Sequence, residues 1–365
     1  MAKTVNEKLA AEAVRRRIML LRYGNQEAQD LLTLLRKANP RIAAAMLEGL
    51  EGMTAANTTP ARLRALSRLV LNETTDAYTA ILKRLNGDME DFGTSEAAYH
   101  AVTLRNAIPK AVLKLLDTEV KATTWQQVLA SVSSRAVMGS TLDQWFSTKL
   151  PQELATNLVA SLQQGVIQGV PTTQLVAQVR KGGAWANHER NLATVTHTAI
   201  NFIAADAREL TRKANDDLIK ERQWLSTLDN KTSTICIVRD GLRYTASTPV
   251  KPIDHEIPYG AGPGKIHFRC RSTETWVTKS FRELGLDVDE LDAGTRASMN
   301  GEVPASMNYL QWLQEKATPL VQEEVLGVTR ADMLRSGKYR AEDFFDDGKM
   351  IPLSKLLALD KRDGL

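Results

Sequence analysis

The sequence predicts a mainly α-helical fold that carries one small α+β module at about residues 224–280, with long helices packed around it. Apolar residues recur at intervals of three and four along most of the 365 residues, as on the buried face of a helix. Aromatic residues make up only 5%, and 21 Gly and 12 Pro are a modest number. Because strands favour aromatic and β-branched residues, this composition disfavours an all-β sandwich or barrel.

The first predicted region comprises residues 1–125 and is helical. Residues 5–50 have helical spacing, with Pro40 as an expected interruption, since proline removes a backbone donor inside a helix. A second helical stretch starts at Pro60, and the Asn-Gly pair that ends at Gly87 is typical of a helix end.

The second predicted region comprises residues 126–223 and contains a long helix over residues 187–222. Its apolar residues follow a heptad-like pattern, which fits a helix across a domain core and also fits a seam with a partner helix. We favour the domain core, because most apolar helix faces are buried within their own domain. The seam comprises Leu192, Val195, Ala199, Ile203, Ala207, Leu210, Ala214 and Leu218.

The composition changes in the third region, 224–280, where residues that favour strands alternate with turn-forming Gly and Pro. The fourth region, 281–365, returns to helical spacing and is acidic. From Glu283 to the last residue there are 10 basic and 16 acidic residues, a net charge of −6. The overall net charge is +4, so residues 1–282 carry a net charge of +10. A basic body and an acidic end indicate where partners could be sought.

Two cysteines in so long a chain do not form a disulfide scaffold, and they favour a reducing cytoplasm as the site of synthesis. No apolar run approaches the length of a membrane span, so we expect no membrane partner. The first residues also lack the apolar core of a signal peptide.

Both cysteines lie in the third region, where they form a candidate metal site with a histidine. His267 and Cys270 are close on one segment, and Cys236 lies upstream. Zinc prefers four N, S or O ligands in a tetrahedron, and small modules often need such a stabilising ion. A structural zinc is therefore one interpretation of these residues. The fourth ligand would be Asp229, His255, Glu256 or a water molecule.

Other interpretations of these three residues remain open. Both thiols can be buried small residues while His267 bonds within its turn, and the thiols can also form a disulfide. A Cys–His nucleophile pair would need an oxyanion site, for which we find no local motif. The glycine run 260–264 before Lys265 does not match a phosphate loop, because Ile266 stands where Ser or Thr is required.

Basic and apolar residues alternate just before Cys270. On a strand, this alternation would put Lys265, Arg269 and Arg271 on one face, together with His267. Such a face can simply be solvated. It can also contact DNA phosphates or an acidic protein partner.

Ordered motifs in this part of the chain carry a family resemblance. They read Trp224-Leu-Ser-Thr-Leu-Asp229-Asn-Lys-Thr-Ser-Thr-Ile-Cys236, then Arg239-Asp240-Gly241, then His267-Phe-Arg-Cys270-Arg271-Ser272-Thr273. With them the chain resembles the phage Mu F-like head morphogenesis family, the minor head proteins of tailed bacteriophages, over about residues 128–357. Several members of that family carry cysteines where this chain has Ser233 and Ser272.

The resemblance implies a non-enzymatic structural protein of the virion that acts in head assembly, near the portal or in the capsid interior. The implied partners are the phage portal protein and the major capsid protein, with weak contact to packaged DNA through the basic body. Assembly would take place in the cytoplasm of the bacterial host.

The alternative is an ejected or packaged virion protein that acts as an effector or binds DNA. The family module has been likened to ADP-ribosyltransferases, whose Glu-x-Glu motif does not occur in this sequence. Gln322-Glu323-Glu324 matches the variant Gln-x-Glu, but it lies in an amphipathic helical pattern, and we interpret it as a solvated helix face.

Overall fold

The computed structural model describes residues 4–285, 295–304, 306–346 and 348–362. It is mainly α-helical with a small antiparallel sheet, as the sequence predicts. The chain divides into two compact units. We call Arg22–Ser95 with Trp125–Ile203 the helical unit, and Met1–Leu21 with Glu96–Thr124 and Ala204–Leu365 the sheet unit. Each unit thus assembles separated stretches, whereas the four regions expected from sequence are contiguous.

Helices account for most of the described chain. Among these residues we find no helix with the length and apolar character that a membrane crossing requires. The helices are α1 (Val5–Gly49), α2 (Pro60–Ala107), α3 (Lys110–Leu115), α4 (Trp125–Ser133), α5 (Leu142–Gln144), α6 (Leu150–Ile167), α7 (Thr172–Lys181), α8 (Gly183–Ala214), α9 (Thr234–Ile237), α10 (Tyr309–Glu315), α11 (Pro319–Leu326), α12 (Val328–Arg335) and α13 (Leu353–Arg362).

Two helix ends expected from local sequence signals are wrong. Helix α1 continues through Pro40, and α2 continues through Gly87. In both cases the buried apolar face continues across the signal: Ile42 and Met46 are buried after the proline, and Met89 after the glycine. Tertiary packing therefore outweighs the local cost of proline, about 3 kcal/mol, and of glycine, about 1 kcal/mol.

The helix expected over residues 187–222 is shorter than predicted at its carboxyl end. Helix α8 stops at Ala214, and residues 219–222 belong to a strand. Asn215 ends the helix, because its side-chain amide donates to the carbonyl oxygens of Thr211 and Lys121, both at 2.8 Å. Its side-chain oxygen also accepts from the backbone N–H of Lys121 at 2.8 Å. As expected for a core helix, residues 195–208 are buried without interruption.

The main sheet lies in the sheet unit and has the strand order β3-β2-β1-β4, antiparallel throughout. In its longest pairing, Trp224 of β1 lies opposite Glu274 of β4, and Ser226 lies opposite Ser272. Two further hairpins, β5-β6 and β7-β8, have two strands each. The strands are β1 (Ile219–Ser226), β2 (Arg243–Thr245), β3 (Pro252–Ile253), β4 (Ser272–Thr278), β5 (Thr295–Ser298), β6 (Gly301–Pro304), β7 (Phe345–Asp346) and β8 (Lys349–Met350).

The acidic end of the chain packs against the module through an apolar cluster. Leu228 and Ile237 of the module share this cluster with Tyr309, Trp312 and other residues of the last helices. In addition, the hydroxyl of Tyr309 donates to the carbonyl oxygen of Asp229 at 2.7 Å. Tyr309, Trp312 and the other cluster residues of the last helices are therefore part of the same core as the module.

Buried charged groups join α8 to the sheet. Arg222 on β1 donates to Glu209 of α8 at 2.8 Å and to the carbonyl oxygen of Ala246 at 2.9 Å. Glu274 on β4 accepts a hydrogen bond from the hydroxyl of Tyr259 at 2.5 Å and lies 3.9 Å from Arg222. Buried charges are tolerated only when they are paired in this way.

The helical unit contains a buried pair that makes its stability depend on pH. The hydroxyl of Tyr78 lies 2.7 Å from Nε2 of His188, and both side chains are buried. Burial disfavours the charged imidazole and lowers the pKa of His188 to about 4, below its ordinary value near 6.5.

We predict that neutral His188 makes its whole contribution to the free energy of unfolding above about pH 6.5, and that this contribution falls as the pH approaches 4. Between these values His188 is protonated in the unfolded chain but not in the folded one, which gives a slope of about 1.4 kcal/mol per pH unit. Urea unfolding at a series of pH values measures it. His188→Gln should lose this slope, and His255→Gln in the sheet unit should keep it; equal slopes for wild type and His188→Gln would contradict the assignment.

Candidate metal centre

The first thiol of the candidate site comes from the short helix α9. The backbone N–H of Cys236 donates to the carbonyl oxygen of Ser233 at 2.9 Å, which starts the helical turn. This turn directs Cys236 and Ile237 into the interior, where both are buried. Ser226 at the end of β1 fixes the turn, because its hydroxyl donates to the carbonyl oxygen of Cys236 at 2.8 Å.

The second thiol and the histidine come from an irregular segment, and the strand expected over residues 265–271 is wrong. Strand β4 begins only at Ser272. The N–H of Cys270 donates to the carbonyl oxygen of His267 at 3.2 Å, and Arg269 has a positive φ of 53°. A left-handed residue reverses the chain, so the charges of this segment do not share one strand face.

The turn brings the three predicted ligands together. The sulfur of Cys236 lies 3.2 Å from Nε2 of His267 and 3.6 Å from the sulfur of Cys270. All three ligand atoms lie within 4.8 Å of one another. Both cysteines have no exposed surface, and His267 is partly buried. This grouping can hold a metal ion, as the residue types suggested.

Two observations test the fit of these residues to zinc. Bond lengths of about 2.3 Å to sulfur and about 2.0–2.1 Å to nitrogen give tetrahedral edges of about 3.8 Å for S···S and about 3.6 Å for S···N. The observed 3.6 Å and 3.2 Å are shorter by only a few tenths of an ångström. Further, Nδ1 of His267 lies 2.8 Å from the carbonyl oxygen of Phe268. An Nδ1–H donated to that carbonyl leaves Nε2 as a lone-pair ligand, the usual arrangement at zinc.

A hydrogen bond joins the sulfurs of the two cysteines. The hydrogen bond between them holds the pKa of Cys270 well below its ordinary value and raises that of Cys236, which acts as the donor. The N–H of Gly264 also donates to the sulfur of Cys270 at 3.3 Å. The hydrogen bond to Cys270 raises the pKa of His267, against the opposing effect of burial. These shifts make Cys270 the more acidic of the two thiols.

The fourth-ligand candidates named from sequence do not join this group. Among the described residues, the cluster comprises only Cys236, His267 and Cys270. Asp229 pairs instead with Arg271, and it accepts from the hydroxyl of Thr232 at 3.1 Å. Nε2 of His255 lies 2.9 Å from the carbonyl oxygen of Arg243, and Nδ1 accepts from the N–H of Ile257 at 3.2 Å. Glu256 is exposed.

Ser233 lies next to this group. Its hydroxyl oxygen lies 2.7 Å from Nε2 of His267. Ser272 stands on the other side, where its hydroxyl lies 3.0 Å from that of Ser226. Both serines stand where several members of the resembled family carry cysteines, but their sequence positions alone did not assign them to the site.

One residue of the site gave no local signal at all. Nη2 of Arg17, on α1, donates to the carbonyl oxygen of Cys270 at 2.5 Å. Burial lowers the pKa of Arg17 to about 10. A buried guanidinium beside the thiols favours their negatively charged form.

The three basic residues proposed for partner contacts have different surroundings. Lys265 pairs with Asp206 of α8 at 2.9 Å, and Arg271 pairs with Asp229. Arg269 is exposed. Two of the three positive charges are therefore neutralised within the chain, which weakens the case for a basic face at this segment.

The other motif residues also bond within the sheet unit. Asp240 accepts from the N–H of Ser226 at 2.5 Å, and Arg239 donates to the carbonyl oxygen of Ile235 at 2.7 Å. Further along the chain, Gln322 is buried rather than solvated as expected, because its amide donates to the carbonyl oxygen of Leu313 at 3.0 Å.

Comparisons of the chain with family models, curated proteins and solved structures found no significant match.

We predict that Asp229→Asn lowers the free energy of unfolding by about 1–3 kcal/mol, because it weakens charge-assisted bonds to Arg271 and Thr232. The same variant should bind metal with the stoichiometry of the wild type, since Asp229 lies outside the cluster. Urea unfolding and elemental analysis measure the two quantities on one sample. A loss of metal without loss of stability would instead make Asp229 a ligand.

Proposed function

We propose that this protein is a minor head protein of a tailed bacteriophage, with a structural zinc at Cys236, His267 and Cys270. The observation that supports the proposal most is that the motifs by which the sequence resembles the phage Mu F-like family lie around this one buried cluster. Trp224 belongs to the same buried cluster as both cysteines, and Asp240 and Arg239 bond to the backbone near them. Residues placed in this way stabilise the fold of the module.

The burial of the motif residues supports a structural role over an enzymatic one. A catalytic thiol must reach its substrate, but neither Cys236 nor Cys270 has exposed surface. Gln322, the first residue of the Gln-x-Glu match, bonds to the main chain inside the core. We therefore infer that the conspicuous polar residues stabilise the sheet unit.

When bound, zinc would crosslink α9 to the turn before β4. Cys236 would hold it from the first element, and His267 and Cys270 from the second. Gly264 and Phe268 orient the ligands through their backbone groups. A small module gains folding free energy from such an ion.

For partners, we propose the portal protein and the major capsid protein, within a virion assembled in the host cytoplasm. The internal pairing of Lys265 and Arg271 makes protein contacts the better-supported mode at the module. Packaged DNA remains a second partner through the basic part of the chain, whose charge is +10 up to residue 282.

The virion location predicts a fixed stoichiometry. Quantitative mass spectrometry of purified virions and procapsids should find this polypeptide at a constant ratio to the portal protein. Particles lacking it should be defective in head assembly and be restored by the chain supplied in trans. Absence of the polypeptide from both kinds of particle would end the proposal, and steeply salt-dependent DNA binding would favour the DNA-binding alternative.

The zinc assignment predicts about one zinc per chain by elemental analysis of protein purified without chelator. His267→Ala should lose the ion, and His255→Ala, which alters another histidine of the module, should retain it. With zinc a thousandfold above its dissociation constant, linkage makes the loss worth about 4 kcal/mol of unfolding free energy. Equal metal content in the two variants would contradict the site.

The position of Ser233 predicts that a cysteine there would strengthen zinc binding. A thiol in place of its hydroxyl, which lies 2.7 Å from Nε2 of His267, would supply a fourth strong ligand. We expect Ser233→Cys to release zinc to a chelator several-fold more slowly than the wild type. Ser147→Cys, at an exposed position of the helical unit, is the matched control and should leave the rate unchanged.

A further inference from the structure

We propose that Cys236 and Cys270 are a redox pair, which a small peroxide converts to a disulfide that closes the module covalently. The sulfurs lie 3.6 Å apart, although they come from elements far apart in the sequence. Two thiols already in van der Waals contact need only a small movement to reach bonding distance.

The surroundings of the sulfurs favour this product over others. Ser226 holds the turn that carries Cys236, and the N–H of Gly264 holds the sulfur of Cys270. The chain has no third cysteine, so one thiol has only the other as an intramolecular partner. Because both sulfurs are buried, an intermolecular disulfide would require local opening of the module.

The reaction balances with hydrogen peroxide as the oxidant. One sulfur attacks a peroxide oxygen, the O–O bond breaks, and the sulfur becomes a sulfenic acid with release of water. The second sulfur then attacks the first, the S–O bond breaks, the S–S bond forms, and a second water leaves. Two thiols are oxidised by two electrons, and one peroxide is reduced to two waters.

Access to the sulfurs suits an oxidant of this size. His267 contacts Cys236 and is only partly buried, and Phe268 next to it is exposed. A peroxide molecule can pass a side chain that fluctuates at the surface, whereas a protein oxidant cannot reach a buried sulfur. The reaction is therefore with a small molecule rather than with a thiol oxidoreductase.

The disulfide and the metal would exclude one another, a consequence that rests on the proposed zinc centre. Both sulfurs are consumed in the S–S bond, so oxidation of the loaded site would release the ion and close the chain from residue 236 to residue 270. A particle assembled in a reducing cytoplasm and exposed to peroxide after its release would pass from the first state to the second.

The experiment treats the reduced full-length chain with stoichiometric hydrogen peroxide, with and without bound zinc, and then blocks free thiols under denaturing conditions. We expect a mass lower by two hydrogen atoms, loss of both alkylatable thiols, and a peptide that links Cys236 to Cys270. A thiol reductant should reverse all three changes. In the zinc-loaded sample, the ion should be released in step with the crosslink.

Two variants separate this inference from the zinc proposal. His267→Ala removes a metal ligand but keeps both sulfurs, so it should lose zinc and still form the crosslink. Cys236→Ser should form no intramolecular crosslink, and circular dichroism checks that it folds. Stable oxygen addition to the sulfurs, or dimers as the main product of the wild type, would overturn the inference. A crosslink in a protein that never binds zinc would sustain it and refute the zinc centre.

Discussion

The antiparallel pairing of β1 with β4 is the contact on which the candidate metal centre depends. It places Ser226, the last residue of β1, opposite Ser272, the first residue of β4. The chain leaves β1 towards α9 with Cys236 and enters β4 two residues after Cys270. Because side chains alternate between faces, a slip of one residue in this register would turn one partner away and separate the sulfurs.

The buried charges beside the sheet protect that register. Arg222 contacts Glu209 of α8 and lies near Glu274 of β4, so the two strands can slide only if charged groups lose their partners. An unpaired buried charge costs about 3–5 kcal/mol, far more than an ion pair adds. In this part of the molecule, charged residues therefore specify one alignment, while the apolar clusters supply most of the driving force.

The sequence predicted what local chemistry can encode. Helical spacing identified the fold class, and the types and spacing of Cys236, His267 and Cys270 identified a group that the structure does bring together. The sequence failed where distant contacts decide. The alternating charges near Lys265 resembled a strand, but Lys265 pairs with Asp206 on α8 and Arg271 pairs with Asp229. Asp229 resembled a ligand, but Arg271 and the backbone occupy its carboxylate, and Arg17 contacts Cys270 from 253 residues away.

The first helix contributes more to the module than its place in the chain suggests. Besides the bond from Arg17, Asn6 accepts from the N–H and the hydroxyl of Thr278 at 2.9 and 3.0 Å, and Leu9 shares an apolar cluster with Trp276. A copy of residues 224–280 joined to a different first helix would therefore lose these contacts along β4.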